Sequence, residues 1–203
     1  MGKRETSSFG PIHVRTRGGS RADRLEIFFD LVFVFAFFSI ARTASTHITG
    51  WGLFEALLAL MLLWRAWCSH TLVANRVQPG EGGAPVVMFA AMAVVFVFAL
   101  AIPGAFGARR GEVSEPLLIA GCYAGIRVLH LMLFWISAAG TRLKGRLFRM
   151  ARPMIVAVAL LVCAAILPAY LPDSLRDPTR IALWFAAVGA EYGVYCRSRG
   201  SGS

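Results

Sequence analysis

The sequence predicts an all-α polytopic membrane protein, a bundle of about six transmembrane helices with both termini cytoplasmic. Three observations carry the prediction. Hydrophobic residues make up 57% of the 203-residue chain and mean hydropathy is +0.63, well above the roughly 45–50% apolar share of soluble domains. Six apolar runs, most of them near the ~20 residues a helix needs to cross the hydrocarbon, are separated by Gly, Pro and charged breakers. The basic residues collect on alternate connections between those runs, the pattern of the positive-inside rule. A net charge of +10 would otherwise suggest nucleic acid, but no basic stripe lies on an amphipathic element. The charge is therefore read as topology, with the bilayer and anionic lipid headgroups as partners and no nucleic acid.

Residues 1–22 are polar, basic and rich in Gly, Ser, Thr and Arg, and are expected to form a disordered cytoplasmic leader. This leader is too long and polar for a signal-peptide n-region, so the first apolar run is expected to remain as a membrane helix. Asp23-Arg24-Leu25-Glu26 fits a capping box, with Asp23 as N-cap and Glu26 reaching back. The six-helix domain is placed at 23–197, with runs at about Glu26–Arg42, Trp51–Ala74, Pro85–Phe106, Pro116–Ala139, Pro153–Leu171 and Thr179–Arg197. The first and last are short and call for tilt or local bilayer thinning. Pro85, Pro116 and Pro153 are expected at or near first helical positions, where a missing N–H does no harm. Residues 198–203 form a short polar tail. This arrangement puts fourteen basic residues on the side of the termini and five on the other, with Arg65 and Arg127 inside the membrane.

A carboxylate inside a membrane-length apolar run is costly, and usually faces protein, water or a partner charge. Asp30 is such a group, roughly 6 Å past the cytoplasmic end of the first helix at ~1.5 Å per residue. Glu26 lies one turn earlier on the same face, so it either caps the helix or shares a site with Asp30. On the second helix Glu55 is near the outer end and Arg65 is deeper, followed by Trp67, His70 and Thr71 toward the cytoplasmic end. Arg127 and His130 share a face of the fourth helix with Tyr123 and Phe134. Glu191 shares a face of the sixth with Trp184, Val188 and Tyr195. The expected pairing is Arg127 with Asp30 or Glu191, and Arg65 with whichever carboxylate is left. Such pairs either fix helix register or line a polar path.

His47 and His70 are expected at the membrane edges, and no haem or zinc spacing joins them to His130, so no metal or cofactor is expected. Cys68, Cys122, Cys163 and Cys196 fall in or at the end of different apolar runs and read as small packing residues. Gly121 and Gly125, and again Gly189 and Gly193, make G-x-x-x-G spacings that permit close helix approach, within the chain or in a homo-oligomer. No nucleophile elbow, metalloprotease motif or paired catalytic aspartates are present, and no enzymatic activity is expected.

The stretch Arg24-Leu25-Glu26-Ile27-Phe28-Phe29-Asp30-Leu31-Val32-Phe33-Val34-Phe35-Ala36 closely resembles the opening signature of the bacterial low temperature requirement protein A family. Leu63-Trp64-Arg65-Ala66-Trp67 through Thr71 to Arg76, Ala101-Ile102-Pro103-Gly104-Ala105-Phe106-Gly107, and Tyr123 through Arg127 to His130 resemble the same family in the expected order. The resemblance covers roughly Arg24 to Tyr195. It implies a multi-pass protein of the bacterial inner membrane, linked to growth at low temperature, and supplies no reaction. Arg65 stands where the family often has a second Trp, and Gly104 where it often has an acidic residue. The resemblance also implies a chain about twice as long, so this one reads as a shortened member. Two functions follow as expectations. One is a transporter or ion-conducting protein whose Asp30, Arg127 and Glu191 line a polar path. The other is a membrane scaffold or bilayer-adaptation component, or an inactive truncated member, whose ion pairs are structural.

Overall fold

The computed structural model describes residues 22–46, 48–74, 83–105, 114–137 and 144–200, with side chains except at 22–24, 26, 74, 114, 137, 144–150 and 194–200. Six α-helices make up the described chain: α1 (Ala22–Thr46), α2 (Gly50–Ala74), α3 (Ala84–Ala101), α4 (Ser114–Ser137), α5 (Lys144–Ile166) and α6 (Asp173–Gly200). Five of them contain stretches long and apolar enough to cross a membrane: Ile27–Thr46, Gly50–Val73, Ala84–Gly104, Glu115–Ile136 and Ala151–Tyr170. In α6 the charged residues Asp173, Arg176, Asp177 and Arg180 fill the first turns, and Glu191 interrupts the apolar stretch that follows.

The helices form two layers of three. α1, α2 and α6 lie side by side in one layer, and α3, α4 and α5 in the other. Across the layers α1 packs on α3, α2 on α4, and α6 on α5. α2 and α4 therefore hold the centre. The core at this centre contains Phe33, Leu62, Val95, Phe98, Tyr123, Ile126 and Ala187, all at most 1% exposed. Outward-facing positions are equally apolar: Ile27, Phe28, Leu31 and Phe38 on α1, Val86 and Phe89 on α3, and Ile155 on α5 are all exposed. A soluble protein rarely tolerates so large an apolar surface, and hydrocarbon solvates it readily.

Local chemistry explains the helix ends. Pro85 sits in the first turn of α3, where its missing N–H has no intrahelical partner to lose. At the far end Pro103 tightens α3 into a 3-10 turn (Ile102–Gly104), closed by the Ala105 N–H on the Ile102 carbonyl at 3.0 Å. The Ser39 hydroxyl donates to the Ala99 carbonyl at 2.6 Å and ties α1 to α3.

Several expected boundaries move. α1 begins at Ala22, so Asp23 lies inside the first turn rather than capping it. α5 begins at Lys144 and places Pro153 inside the helix, not at its start. A proline there removes one backbone bond while the basic segment before it continues the same helix. The Pro172 to Pro178 stretch, expected as a break, is helical from Asp173, with the Leu175 and Arg176 N–H groups on the Pro172 carbonyl at 3.0 and 3.2 Å. α6 also continues to Gly200, past the expected start of the tail at 198. The leader (1–21), His47 and residues 201–203 lie outside the described residues, as do the side chains of Glu26 and Cys196.

A candidate functional site between α2, α4 and α6

At the centre of the bundle α4 turns one face toward α2 and α6. Tyr123, Arg127 and His130, at helical spacing on that face, are all buried. The apolar residues Ile119, Ile126 and Leu133 share their depth, and Arg127 at 2% exposed makes no direct contact with solvent and must be satisfied within the site. Glu191 satisfies it. The carboxylate and the guanidinium are each about 2% exposed or less, and the pairing is bidentate. Arg127 Nε donates to Glu191 Oε1 at 2.9 Å, and Arg127 NH2 donates to Glu191 Oε2. Such fork-to-carboxylate geometry is the strongest form of charged hydrogen bond. Tyr123 adds its hydroxyl to Oε1 at 2.9 Å, and its ring lies 5.4 Å from the Arg127 Cζ.

α2 supplies the other half. Ser69 Oγ accepts from Arg127 NH1 at 3.2 Å and from Arg65 NH1, while donating to the Arg65 carbonyl at 2.7 Å. Arg65 Nε is 3.8 Å from Glu191 Oε2, beyond hydrogen-bond length, and has no hydrogen-bond partner among the described residues. Two guanidiniums thus address one carboxylate. The Tyr192 hydroxyl donates to the Met61 carbonyl at 3.0 Å and holds α6 against α2 beside this group.

Beside the ion pair, two histidines meet. His70 and His130 are 1% and 4% exposed, with ring centroids 5.2 Å apart. His70 Nδ1 faces the Ala66 carbonyl at 3.1 Å, so that nitrogen carries the proton. Its Nε2 and the Nδ1 of His130 are buried without hydrogen-bond partners among the described residues. Phe29 and Phe33 of α1 close over His70, at 5.4 and 6.4 Å between ring centroids.

The sequence-predicted residues therefore divide. Arg127, His130, Glu191 and Arg65 come together. Asp30 does not join them: it is exposed on α1 and accepts a hydrogen bond from Trp67 Nε1 at 3.0 Å. Of the two candidates for Arg127, Glu191 is the partner. Arg65 does not take the remaining carboxylate but approaches the same one. His70 is a second correction, since it is buried in the core and not interfacial. Ser69 went unrecognised, although Leu62, Ala66, Ser69 and Val73 repeat at helical spacing and are all buried.

The glycines also behave differently from one another. A Cβ at Gly125 would meet Val94 Cγ1 of α3 at 3.3 Å, whereas Gly121, Gly189 and Gly193 have open space. Only Gly125 of the four serves close approach within the chain. Cys68, Cys122 and Cys163 are free thiols. Among the described residues no group of three or more His, Cys, Asp or Glu side chains could hold a metal ion.

At the opposite end, Thr43, Thr49, Glu55, Asp177 and Arg180 line a recess of about 260 Å³ with Pro103. Arg180 is 5% exposed and donates from NH2 to Asp177 Oδ1 at 2.7 Å. This polar mouth and the central cluster are separated along α2 by Leu62 and Leu63, both buried.

Residues 21–201 match the family model described as bacterial low temperature requirement A protein (LtrA). An uncharacterized protein of Rhizobium meliloti (strain 1021) is 27% identical over 177 residues, which is 85% of this chain and 39% of that relative. The chain thus spans about two fifths of the curated relative's length. No solved structure matches it.

Proposed function

This chain belongs to the bacterial low temperature requirement A (LtrA) family and is a multi-pass protein of the bacterial inner membrane, and on that premise we propose that it is a non-enzymatic membrane transport protein. Its substrate-handling site is the Arg65, Ser69, Tyr123, Arg127, Glu191 cluster. All six helices cross the bilayer, α6 carrying its glutamate into the interior on the strength of the pair with Arg127. Both termini are cytoplasmic, which places the basic Lys144–Arg152 segment and the leader against anionic headgroups.

The observation that carries this reading is the Arg127–Glu191 pair, held bidentate in the centre of an apolar bundle. Ionisable groups at that depth are rare and typically mark ion or substrate pathways. Here a second guanidinium stands beside the pair, so Glu191 has two partners to choose between. The polar mouth at Thr43, Glu55 and Arg180 gives the cluster a counterpart at the outer end. Asp30, on the cytoplasmic side of α1, is an approach group in this scheme and not the central charge.

One observation favours a second reading, a scaffold with structural charges. Glu191 accepts three hydrogen bonds, from Tyr123 and twice from Arg127, and a satisfied pair of that kind can simply fix helix register. Ion flux in proteoliposomes separates the two. Transport predicts flux in the wild type, loss of it in Glu191→Gln, and only a partial decrease in Asp30→Asn. Near-zero flux in all three, with the wild type monodisperse, would reject transport by this chain and leave the charges a structural role or the chain an inactive fragment.

A further inference from the structure

We infer that the central cluster binds a monovalent oxyanion, a carboxylate or the phosphate of a lipid or a free ion, on Arg65; this rests on reading the cluster as a binding site. Arg65 and Arg127 are two fixed positive charges, since guanidinium stays protonated in proteins. Glu191 is the one carboxylate among the described residues that reaches them. Asp30 is exposed, meets the Trp67 indole and forms no ion pair with either arginine, and Asp177 pairs with Arg180 at the other end. The cluster thus carries one positive charge beyond its own compensation, inside a bundle where an uncompensated charge is expensive.

The surplus falls on Arg65. Glu191 gives both oxygens to Arg127 and leaves Arg65 at 3.8 Å. Among the described residues Arg65 donates only to Ser69, and its Nε is buried without a partner. The same side chain is 24% exposed, so the position is not sealed from the surroundings as Arg127 is. Ser69, already in contact with Arg65, can turn its hydroxyl toward an anion. A cation would meet two guanidiniums here. The negative ligand compensates the excess, and Glu191 acts as its internal competitor.

That competition gives a test with opposite signs at two positions. Thermal unfolding of the detergent-purified protein, followed by tryptophan fluorescence, is measured against acetate, inorganic phosphate and phosphatidylglycerol, with matched chloride and phosphatidylcholine as references. The wild type should show a saturable rise of roughly 5 °C with at least one of the three. Arg65→Gln should lose the rise, and Arg65→Lys should need about tenfold more ligand because a point charge replaces the fork. Glu191→Gln should need about tenfold less, because the competing carboxylate is gone. Protection by phosphatidylglycerol alone identifies a lipid headgroup as the source, and protection by acetate or phosphate identifies a free ion. No saturable protection in the wild type, or equal protection in the Arg65 variants, overturns the inference. If Arg65→Gln does not fold, the Arg65→Lys and Glu191→Gln shifts decide it alone. Anion protection without flux would reject transport and keep the anion site; cation flux without anion protection would do the reverse.

Discussion

Arg127 is the residue on which the interior depends. Removing its partner leaves a guanidinium in an apolar core, so Glu191→Ala should destabilise the protein by about 3–5 kcal/mol. The double variant Arg127→Met with Glu191→Leu should recover most of that loss, because it removes both charges and keeps volume. Chemical denaturation of the two variants in parallel checks the coupling, and equal destabilisation would show that packing, not charge, dominates. Tyr123→Phe removes one donor from a charged acceptor and should cost about 1.5–3 kcal/mol. At the rim, Trp67→Phe frees Asp30 where it is already exposed. Its cost should stay near 0.5–1.5 kcal/mol in the same assay. A larger value would mean that Asp30 anchors α1 and is more than an approach group.

At the scale of the helix, three of the four glycines make separable predictions. Gly125→Leu forces a side chain against Val94 of α3 and should destabilise by about 1–3 kcal/mol. Gly189→Leu and Gly193→Leu meet open space, so monomer stability should stay within about 0.5 kcal/mol. If that face joins two copies, the same variants should shift the protein from dimer to monomer in light scattering coupled to size exclusion.

Helix type and number were legible because apolar runs and their breakers survive without tertiary information. The Arg127 face was legible too, since Tyr123, Arg127, His130 and Phe134 repeat at helical spacing and all are buried. Partner choice was not. Asp30 and Glu191 are both carboxylates in apolar helices, and only the placement of α6 beside α2, with α1 turned outward at Asp30, decides between them. His70 was misjudged for a related reason. Its position near the end of a run suggested the interface, but Phe29, Phe33 and His130 from two other helices enclose it. The start of α5 was hidden by Pro153, a residue that favours first turns yet sits inside this helix.

For the whole molecule, two three-helix layers place α2 and α4 at the centre, and the Arg127 contacts to Ser69 and Glu191 join α4 to α2 and α6. The basic residues on the side of the termini set the orientation prediction. Fusions of a cytoplasmic reporter at either terminus should be active, and periplasmic reporters there should be silent. Opposite results at the two ends would mean that an odd number of helices crosses the membrane, with α6 lying outside it. Active cytoplasmic reporters at both ends would put the polar mouth at Arg180 on the outer face and the Trp67–Asp30 contact on the cytoplasmic one.

The central claim is that the Arg127–Glu191 pair handles substrate and does more than fasten α4 to α6. The most direct measurement is the current recorded from proteoliposomes on a solid-supported membrane after acetate, phosphate and proton jumps, for the wild type and Glu191→Asp. The substitution keeps the charge but withdraws the carboxylate by one methylene, so it cannot hold Arg127 and Tyr123 as Glu191 does. The account predicts a current in the wild type that falls at least about tenfold in Glu191→Asp, a loss of roughly 1.4 kcal/mol of coupling, while the unfolding temperature drops by only a few degrees. Equal currents in the two proteins, or no current in a folded wild type, would contradict it.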